Sequence, residues 1–259
     1  MGLITKKVES HFLRKTMNLS VYCADGYEKT ALPVLYFLHG RTGDERLLQQ
    51  LGMDKIANAL IKAGEIKPLR IVCPNMDNSR GINSSNDYEA VVGKYGKVHK
   101  GRYEDYLVQE IIPYVDRSFP TIRDRCGRFI GGVSSGGYAA LSIGLRHPEL
   151  FSKIGGHMPA IDPSFDAEDE CYFADQSMWL KYDPVTVAET VTRNDIKVFL
   201  DDGKDDEGQF YRACEKLALI LKQKGTDVQN HLFAGRHNKE YLTSHLKTYL
   251  RFYGGSLSC

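Results

Sequence analysis

The sequence predicts an α/β fold with a mainly parallel central sheet, an antiparallel N-terminal edge and helices on both faces. Short apolar runs alternate with segments of helical periodicity, which is the pattern of repeated βαβ units. The runs are rich in β-branched and aromatic residues and are bounded by Gly, Pro or Asp, as is typical of buried parallel strands. Two strand-like stretches separated by a polar turn come before them, and these predict a hairpin at the edge of the sheet.

The predicted strands are short segments spread along the whole chain. In order they are residues 8–13, residues 17–23, 33-PVLYFLHG-40, 69-LRIVCP-74, 128-RFIGGV-133, 197-KVFLDDG-203 and a last strand near residues 230–233. The first two form the antiparallel hairpin, and the others form the parallel part of the sheet.

Three amphipathic patterns predict helices that cover this sheet, because apolar residues recur at intervals of three and four. The three apolar sets are Leu107, Ile111, Tyr114 and Val115; Phe210, Cys214, Leu217 and Leu221; and Leu242, Leu246, Tyr249 and Leu250. Residues 75–102 and 156–190 have no clear periodicity, and long excursions of this kind in a compact domain are usually functional loops. We therefore expect one α/β domain over residues 1–259, with a lid or substrate loop at 156–190 and a long loop at 75–102.

Composition excludes several classes of protein. Apolar residues make up 42% and charged residues 26% of the chain, close to the average for globular proteins. The net charge is +1 without a basic stripe, so nucleic acid is not an expected partner. The N-terminus is charged and no segment is long enough to span a bilayer, which predicts a cytoplasmic protein without a membrane span. Six cysteines without C-x-x-C spacing predict free thiols, and a homo-oligomer is left open.

The strongest functional signal is the motif 132-GVSSG-136, a G-x-S-x-G pattern. It follows the predicted strand 128–133 and precedes a helix-like run at 137–146, which is the context of a nucleophile elbow. The small residues around Ser134 allow the sharp turn that exposes its hydroxyl. Ser134 is therefore the candidate nucleophile.

A serine nucleophile needs a histidine base and an acid that orients the base. In folds with a nucleophile elbow, the acid follows the serine in the chain and the histidine follows the acid. His237 lies in a loop between the last predicted strand and the last helix, and it is the candidate base. His157 follows an apolar segment after the elbow helix and is predicted to contact substrate. The acid is expected in the loop 201-DDGKDDEG-208, but the residues alone do not choose among its four aspartates.

The oxyanion of the reaction needs backbone donors, which this fold takes from the residue after the nucleophile and from an early strand-end loop. The first donor would be the N–H of Ser135. The second would be the N–H of Arg41, in 38-LHGRTG-43, where a buried strand ends in a tight turn.

Together these segments resemble the esterase family of α/β-hydrolases that includes esterase-D-like, tributyrin, feruloyl and enterochelin esterases. The resemblance covers roughly residues 32 to 253. The segments that carry it are 38-LHGRTG-43, 103-YEDYLVQEIIPYVDRSFP-120, 131-GGVSSGGYAAL-141, 147-HPELF-151, 203-GKDD-206 and 235-GRHNKEYLTSHLKTYLRFY-253. It implies an α/β-hydrolase fold.

The resemblance implies roles for individual residues: Ser134 as nucleophile, His237 as base, Asp206 as acid, and the N–H groups of Arg41 and Ser135 as oxyanion donors. Three positions depart from the common family pattern, with Ser135 in place of Met, Arg236 in place of Gly and Asn238 in place of Asp. The motif that precedes the oxyanion loop in S-formylglutathione hydrolases is absent, so the specificity of those enzymes is not implied.

The predicted function is hydrolysis of a small-molecule carboxylic ester through an acyl-enzyme on Ser134, without cofactor or metal. Two alternatives remain open: an acyltransferase that uses the same acyl-enzyme, and a binding protein that has kept the fold without turnover. Substrate choice is expected to lie in residues 156–190, where aromatics alternate with carboxylates. Trp179, the only tryptophan, is the predicted substrate contact there.

Overall fold

The computed structural model describes residues 2–256, and its main sheet has eight strands in the order β1-β2-β4-β3-β7-β8-β9-β10. The strand bounds, including those of a separate hairpin formed by β5 and β6, are Leu3–Ser10 (β1), Lys15–Cys23 (β2), Val34–Leu38 (β3), Arg70–Pro74 (β4), Glu89–Gly93 (β5), Gly96–Lys100 (β6), Arg128–Val133 (β7), Lys153–His157 (β8), Lys197–Gly203 (β9) and Asp227–Phe233 (β10). The pairs β1–β2 and β2–β4 are antiparallel, and the rest of the main sheet is parallel. The predicted fold class is confirmed.

Helices lie on both faces of the sheet. Their bounds are Leu47–Gln50 (α1), Met53–Lys62 (α2), Tyr103–Asp105 (α3), Ile112–Ser118 (α4), Ser135–Arg146 (α5), Gln176–Tyr182 (α6), Pro184–Thr190 (α7), Tyr211–Gln223 (α8) and Lys239–Gly254 (α9), with a π-helical stretch, Tyr106–Ile111, between α3 and α4 and a short 3₁₀ turn, Arg125–Gly127. Buried side chains of α4, α5, α7 and α8 form one hydrophobic cluster with the sheet, and those of α2 and α9 form a second. The three predicted helices are confirmed; α1 and α2 were not predicted.

The N-terminal hairpin is present, but the predicted bounds of its first strand are wrong. β1 runs over Leu3–Ser10, and residues 11–14 form the turn. Lys6 and Lys7 in the middle of β1 are exposed on this edge strand and interrupt its apolar pattern, so the first half of the strand was not recognised.

β8 was not predicted, because its sequence KIGGH offers few large apolar side chains. The glycines serve a close approach of the last helix: a Cβ atom on Gly155 would lie 1.9 Å from the hydroxyl oxygen of Tyr253. The glycines that made the strand difficult to recognise in the sequence are therefore required for its packing against α9.

The two stretches without periodicity contain some regular structure. The β5–β6 hairpin lies within residues 75–102, and α6 and α7 lie within residues 156–190.

The prediction of free thiols is confirmed for four cysteines, namely Cys23, Cys73, Cys171 and Cys214. It is wrong for Cys126, which is disulfide-bonded. Cys259 lies outside the described residues. Within residues 2–256 no helix combines the length and apolarity needed to cross a bilayer.

Candidate active site

Ser134 stands on a sharp turn between β7 and α5. Its backbone has φ 54° and ψ −120°, a conformation that residues other than glycine adopt only when the surrounding structure enforces it. The turn is closed by a tight approach of two chain segments, since a Cβ atom on Gly136 would lie 2.3 Å from the carbonyl oxygen of His39. Strand, turn and helix therefore follow one another as the G-x-S-x-G motif predicts.

The hydroxyl of Ser134 belongs to a continuous chain of hydrogen bonds. Its Oγ lies 2.8 Å from Nε2 of His237, and Nδ1 of the same ring lies 2.6 Å from Oδ2 of Asp206. The side chain of His237 is 25% exposed and that of Asp206 is 1% exposed, so the imidazole can be reached from solvent while its partner cannot. Phe210 packs against the imidazole in an edge-to-face arrangement with ring centroids 5.6 Å apart.

The structure separates the aspartates that the sequence could not rank. Asp201 is fully buried and its Oδ1 lies 2.7 Å from Nδ1 of His157. Asp202 is also fully buried and lies against Asp206, and Asp205 is exposed. Of the four, it is Asp206 that is hydrogen-bonded to His237.

Asp206 is held as an anion by its hydrogen bonds. Burial by itself would raise the pKa of Asp206, but hydrogen bonds from His237 and from the backbone N–H of Gly208 lower it below the ordinary aspartate value. An ionised carboxylate at this position fixes the imidazole with a proton on Nδ1, which leaves Nε2 free to accept one.

The loop after β3 approaches Ser134 closely. A Cβ atom on Gly40 would lie 3.3 Å from the Cβ atom of Ser134. His39 braces this loop from inside: its Nδ1 lies 2.9 Å from the Gly40 carbonyl oxygen, and its Nε2 accepts the N–H of Met76 at 2.9 Å. Burial lowers the pKa of His39, so its ring stays neutral. Arg41 comes next in this loop, and Ser135 opens α5, where N–H groups have no partner within the helix.

A cleft of about 150 Å³ is bordered by Phe210, the residue that packs against the imidazole of His237. Its other walls come from the loop after β3, the residues around the β5–β6 hairpin and the 156–190 segment. The lining residues are Arg41, Arg80, Lys94, Tyr95, Val98, Asp162, Asp166, Glu168, Asp169, Cys171, Tyr172 and Phe210. Both stretches without periodicity therefore border the cleft.

Most carboxylates of the cleft face cations. The buried guanidinium of Arg80 lies 2.7 Å from Asp162 and 3.6 Å from Asp169, and Lys94 of the hairpin is paired with Glu168. Burial raises the pKa of Asp169 to about 6. These pairs join residues 75–102 to residues 156–190, so the two segments form one wall of the cleft. They also neutralise most of the negative charge of its acidic residues.

Two predicted substrate contacts need correction. The side chain of His157 is fully buried, with Nε2 3.0 Å from the Tyr253 hydroxyl and the ring stacked on Tyr249, so no part of it faces a substrate. Trp179 is 7% exposed, packs in the hydrophobic core and borders a different pocket from the cleft that Phe210 lines. Both side chains are apolar or amphipathic rings, which are often buried in folded proteins, and both lie in the interior of this one.

One group of side chains has the composition of a metal site. Oxygen atoms of Asp202 and Asp206 and a ring nitrogen of His237 lie within 4.8 Å of one another. In tetrahedral zinc sites, metal bonds near 2.0 Å separate two ligand atoms by about 3.3 Å. The 2.6 Å contact between His237 and Asp206 is a hydrogen bond and is too short for two ligands of one ion.

Comparison with known proteins shows the family of the chain. A family model described as "Putative esterase" matches residues 10–253. The chain belongs to this esterase family. The esterase is 25% identical to S-formylglutathione hydrolase of Mus musculus over 262 residues, which cover 90% of this chain and 91% of that protein. The family and this relative support carboxylic ester hydrolysis as the activity of the esterase.

Solved structures confirm the α/β-hydrolase fold of the esterase. A ferulic acid esterase superposes with a TM-score of 0.82 at 21% identity, covering 97% of each chain. A fluorophosphonate-binding serine hydrolase of Staphylococcus aureus, FphF, superposes with a TM-score of 0.79 at 20% identity, covering 98% of this chain and 99% of that one.

Three residues that shape the site were not predicted as site residues from the sequence. His39 comes before the nucleophile in the chain, Arg80 lies in a stretch without periodicity, and Asp202 was one of four aspartates in the same loop. The His-Gly pair at the end of a buried strand was a signal for His39. Arg80 gave no such signal, because its partners Asp162 and Asp169 are distant in sequence. Asp202 gave none either, because the four aspartates of its loop are of the same residue type.

Proposed function

We propose that the chain hydrolyses carboxylic esters through an acyl-enzyme on Ser134, with His237 as base and Asp206 as the acid that orients it. The observation that carries this proposal is the chain of hydrogen bonds from Ser134 Oγ to His237 and on to Asp206, with contacts of 2.8 Å and 2.6 Å. Such a chain activates a hydroxyl that would otherwise be a weak nucleophile.

In the first half of the reaction, Ser134 Oγ forms a bond to the ester carbonyl carbon and its proton passes to Nε2 of His237. The negative charge that develops on the carbonyl oxygen is stabilised by the N–H groups of Arg41 and Ser135. When the intermediate collapses, the bond to the alcohol oxygen breaks and His237 returns the proton to that oxygen.

The second half repeats these steps with water. His237 takes a proton from water, the hydroxide oxygen bonds to the acyl carbon, and the bond to Ser134 Oγ breaks as the proton returns to Ser134. The products are a carboxylic acid and an alcohol. Besides the protein and the ester, water is the only reactant that the reaction requires to balance.

The cleft bordered by Phe210 is proposed as the site that holds the substrate. Phe210 packs against the imidazole, and Tyr95 adds aromatic surface to the same cleft. Arg41 stacks on Tyr95 with its guanidinium carbon 4.4 Å from the ring centroid. Aromatic rings of this kind favour acyl or aryl groups with apolar area.

The nucleophile is tested with a fluorophosphonate probe and a panel of short-chain, long-chain and aryl esters. We expect the probe to label the wild type on Ser134 and to leave Ser134→Ala unlabelled. Turnover in that variant should fall by about 10⁴-fold or more, since the covalent route is lost. Ser135→Ala is the matched control, because it keeps the Ser135 N–H group. Labelling and turnover that persist in Ser134→Ala would contradict the proposal.

A further inference from the structure

Asp202 is a buried carboxylate that the reaction does not use directly. It lies near the end of β9 and is fully buried. Its Oδ1 accepts the N–H of Gly203 at 2.8 Å. Its Oδ2 is buried without a donor among the described residues. An ionised carboxylate left in this state is strongly unfavourable.

The neighbour of Asp202 is the carboxylate that orients the proposed base. Oxygen atoms of Asp202 and Asp206 lie within 4.8 Å of each other and of the His237 ring. Two buried carboxylates this close repel when both are ionised, whereas a proton shared between them turns the contact into a hydrogen bond. Asp206 already accepts from His237 and from the N–H of Gly208, so Asp206 is the better anion of the two.

The surroundings of Asp202 agree with this distribution of charge. Burial and the nearby charge of Asp206 raise the pKa of Asp202 to about 8. Besides Asp206 and His237, the titratable groups that face Asp202 are the thiol of Cys214 on α8 and the phenol of Tyr241 on α9. Burial raises the pKa of both Cys214 and Tyr241, so they stay neutral and offer Asp202 no countercharge.

We propose that Asp202 is a positioning residue that carries a proton and donates it in a hydrogen bond to Asp206. The bond holds Asp206 as an anion directed at Nδ1 of His237. The role of this bond in catalysis rests on the proposed function, whereas the proton on Asp202 is a property of the fold and can be measured without any turnover.

The first experiment measures thermal unfolding of the wild type and of Asp202→Asn from pH 5 to about 9, a range that brackets the raised value. Because the folded-state pKa of Asp202 lies above that of the unfolded chain, the stability that its proton contributes is complete at low pH and is lost as the pH rises through the folded value. Asp202→Asn has no such proton. The Tm of the wild type should therefore fall relative to that of Asp202→Asn as the pH rises toward 9, a range over which buried Cys214 and Tyr241 stay neutral in the folded state.

The second experiment measures kcat/KM for the wild type, Asp202→Ala and Asp202→Asn. Losing one hydrogen bond to a charged group corresponds to about tenfold in rate, which we expect for Asp202→Ala. The amide of Asp202→Asn can still donate to Asp206 and should restore most of that loss. The wild-type kcat/KM should also decline above about pH 8, where Asp202 loses its proton, and Asp202→Asn should not show this decline.

The outcomes separate the two proposals. Parallel curves of Tm against pH for the wild type and Asp202→Asn would overturn the proton on Asp202, and so would a difference that a chelator abolishes, because a cation would then join the two carboxylates. Failure of Asp202→Asn to restore the rate lost in Asp202→Ala would overturn the positioning role. A clear difference in Tm together with an unlabelled, inactive wild type would contradict the proposed function and leave the proton on Asp202 in place.

Discussion

The backbone N–H of Ser134 donates a hydrogen bond to the carbonyl oxygen of His157 at 2.9 Å. His157 is the last residue of β8, and its ring is bonded to Asp201 on one side and Tyr253 on the other. Asp201 in turn accepts the hydroxyl groups of Tyr241 and Tyr249 at 2.8 Å and 2.7 Å. The turn that carries Ser134 is thus tied to a buried polar network that joins β8, β9 and α9.

His157→Ala should destabilise the fold, because it leaves buried polar atoms of Asp201 and Tyr253 without their partner. We expect the free energy of unfolding in a denaturant titration to fall by about 3 kcal/mol. His11→Ala, at an exposed position, is the control and should change this free energy by less than about 0.5 kcal/mol. Equal, small effects of the two substitutions would show that the network contributes little.

Asp206→Asn should lower kcat by roughly 10⁴-fold, since an amide at this position favours the wrong tautomer of His237. Asp205→Asn is the matched control: Asp205 is its neighbour in the same loop but is exposed, so its loss should leave kcat almost unchanged. Far-UV circular dichroism should show that both variants fold. Similar, mild losses of kcat in the two variants would mean that the orienting acid lies elsewhere.

Tyr95 and Trp179 should differ in what they control. Tyr95 is 55% exposed and lines the cleft, so Tyr95→Ala should change the ranking of acyl and aryl esters with little effect on stability. Trp179 is 7% exposed, and Trp179→Ala should cost about 3 to 5 kcal/mol of unfolding free energy while the ranking stays the same. An altered ranking in Trp179→Ala alone would return substrate choice to that residue.

Incubation with a chelator should leave the rate of ester hydrolysis unchanged. The atoms that would hold a metal are engaged with each other, since His237 and Asp206 meet in a 2.6 Å hydrogen bond. The measurement compares kcat/KM before and after exhaustive dialysis against the chelator. Activity that is lost and then restored by zinc would contradict the proposed mechanism and favour a metal at Asp202, Asp206 and His237.

Local patterns in the sequence were sufficient for much of the fold. β3, β4, β7 and β9 begin and end within one or two residues of the predicted segments, because buried parallel strands are continuous apolar runs bounded by turn residues. The elbow at Ser134 was visible for a similar reason, since its strand, tight turn and helix are adjacent in the chain.

Other features depend on contacts between residues far apart in the chain. Ser134 and His237 are separated by 103 positions, and only the packing of α5 and α9 around the sheet brings Oγ to 2.8 Å from Nε2. β8 could not be found locally, because its glycines make room for Tyr253 from the last helix.

The aspartates after β9 show most clearly what the sequence determined and what only the tertiary structure decided. The sequence determined that an acidic loop follows β9, because that pattern is local. The tertiary structure decided that Asp201 binds His157, that Asp206 binds His237 and that Asp202 lies buried between the backbone N–H of Gly203 and Asp206. The physical reason is that the charge and role of a carboxylate depend on its burial and on the donors around it, and those donors come from distant segments of the chain.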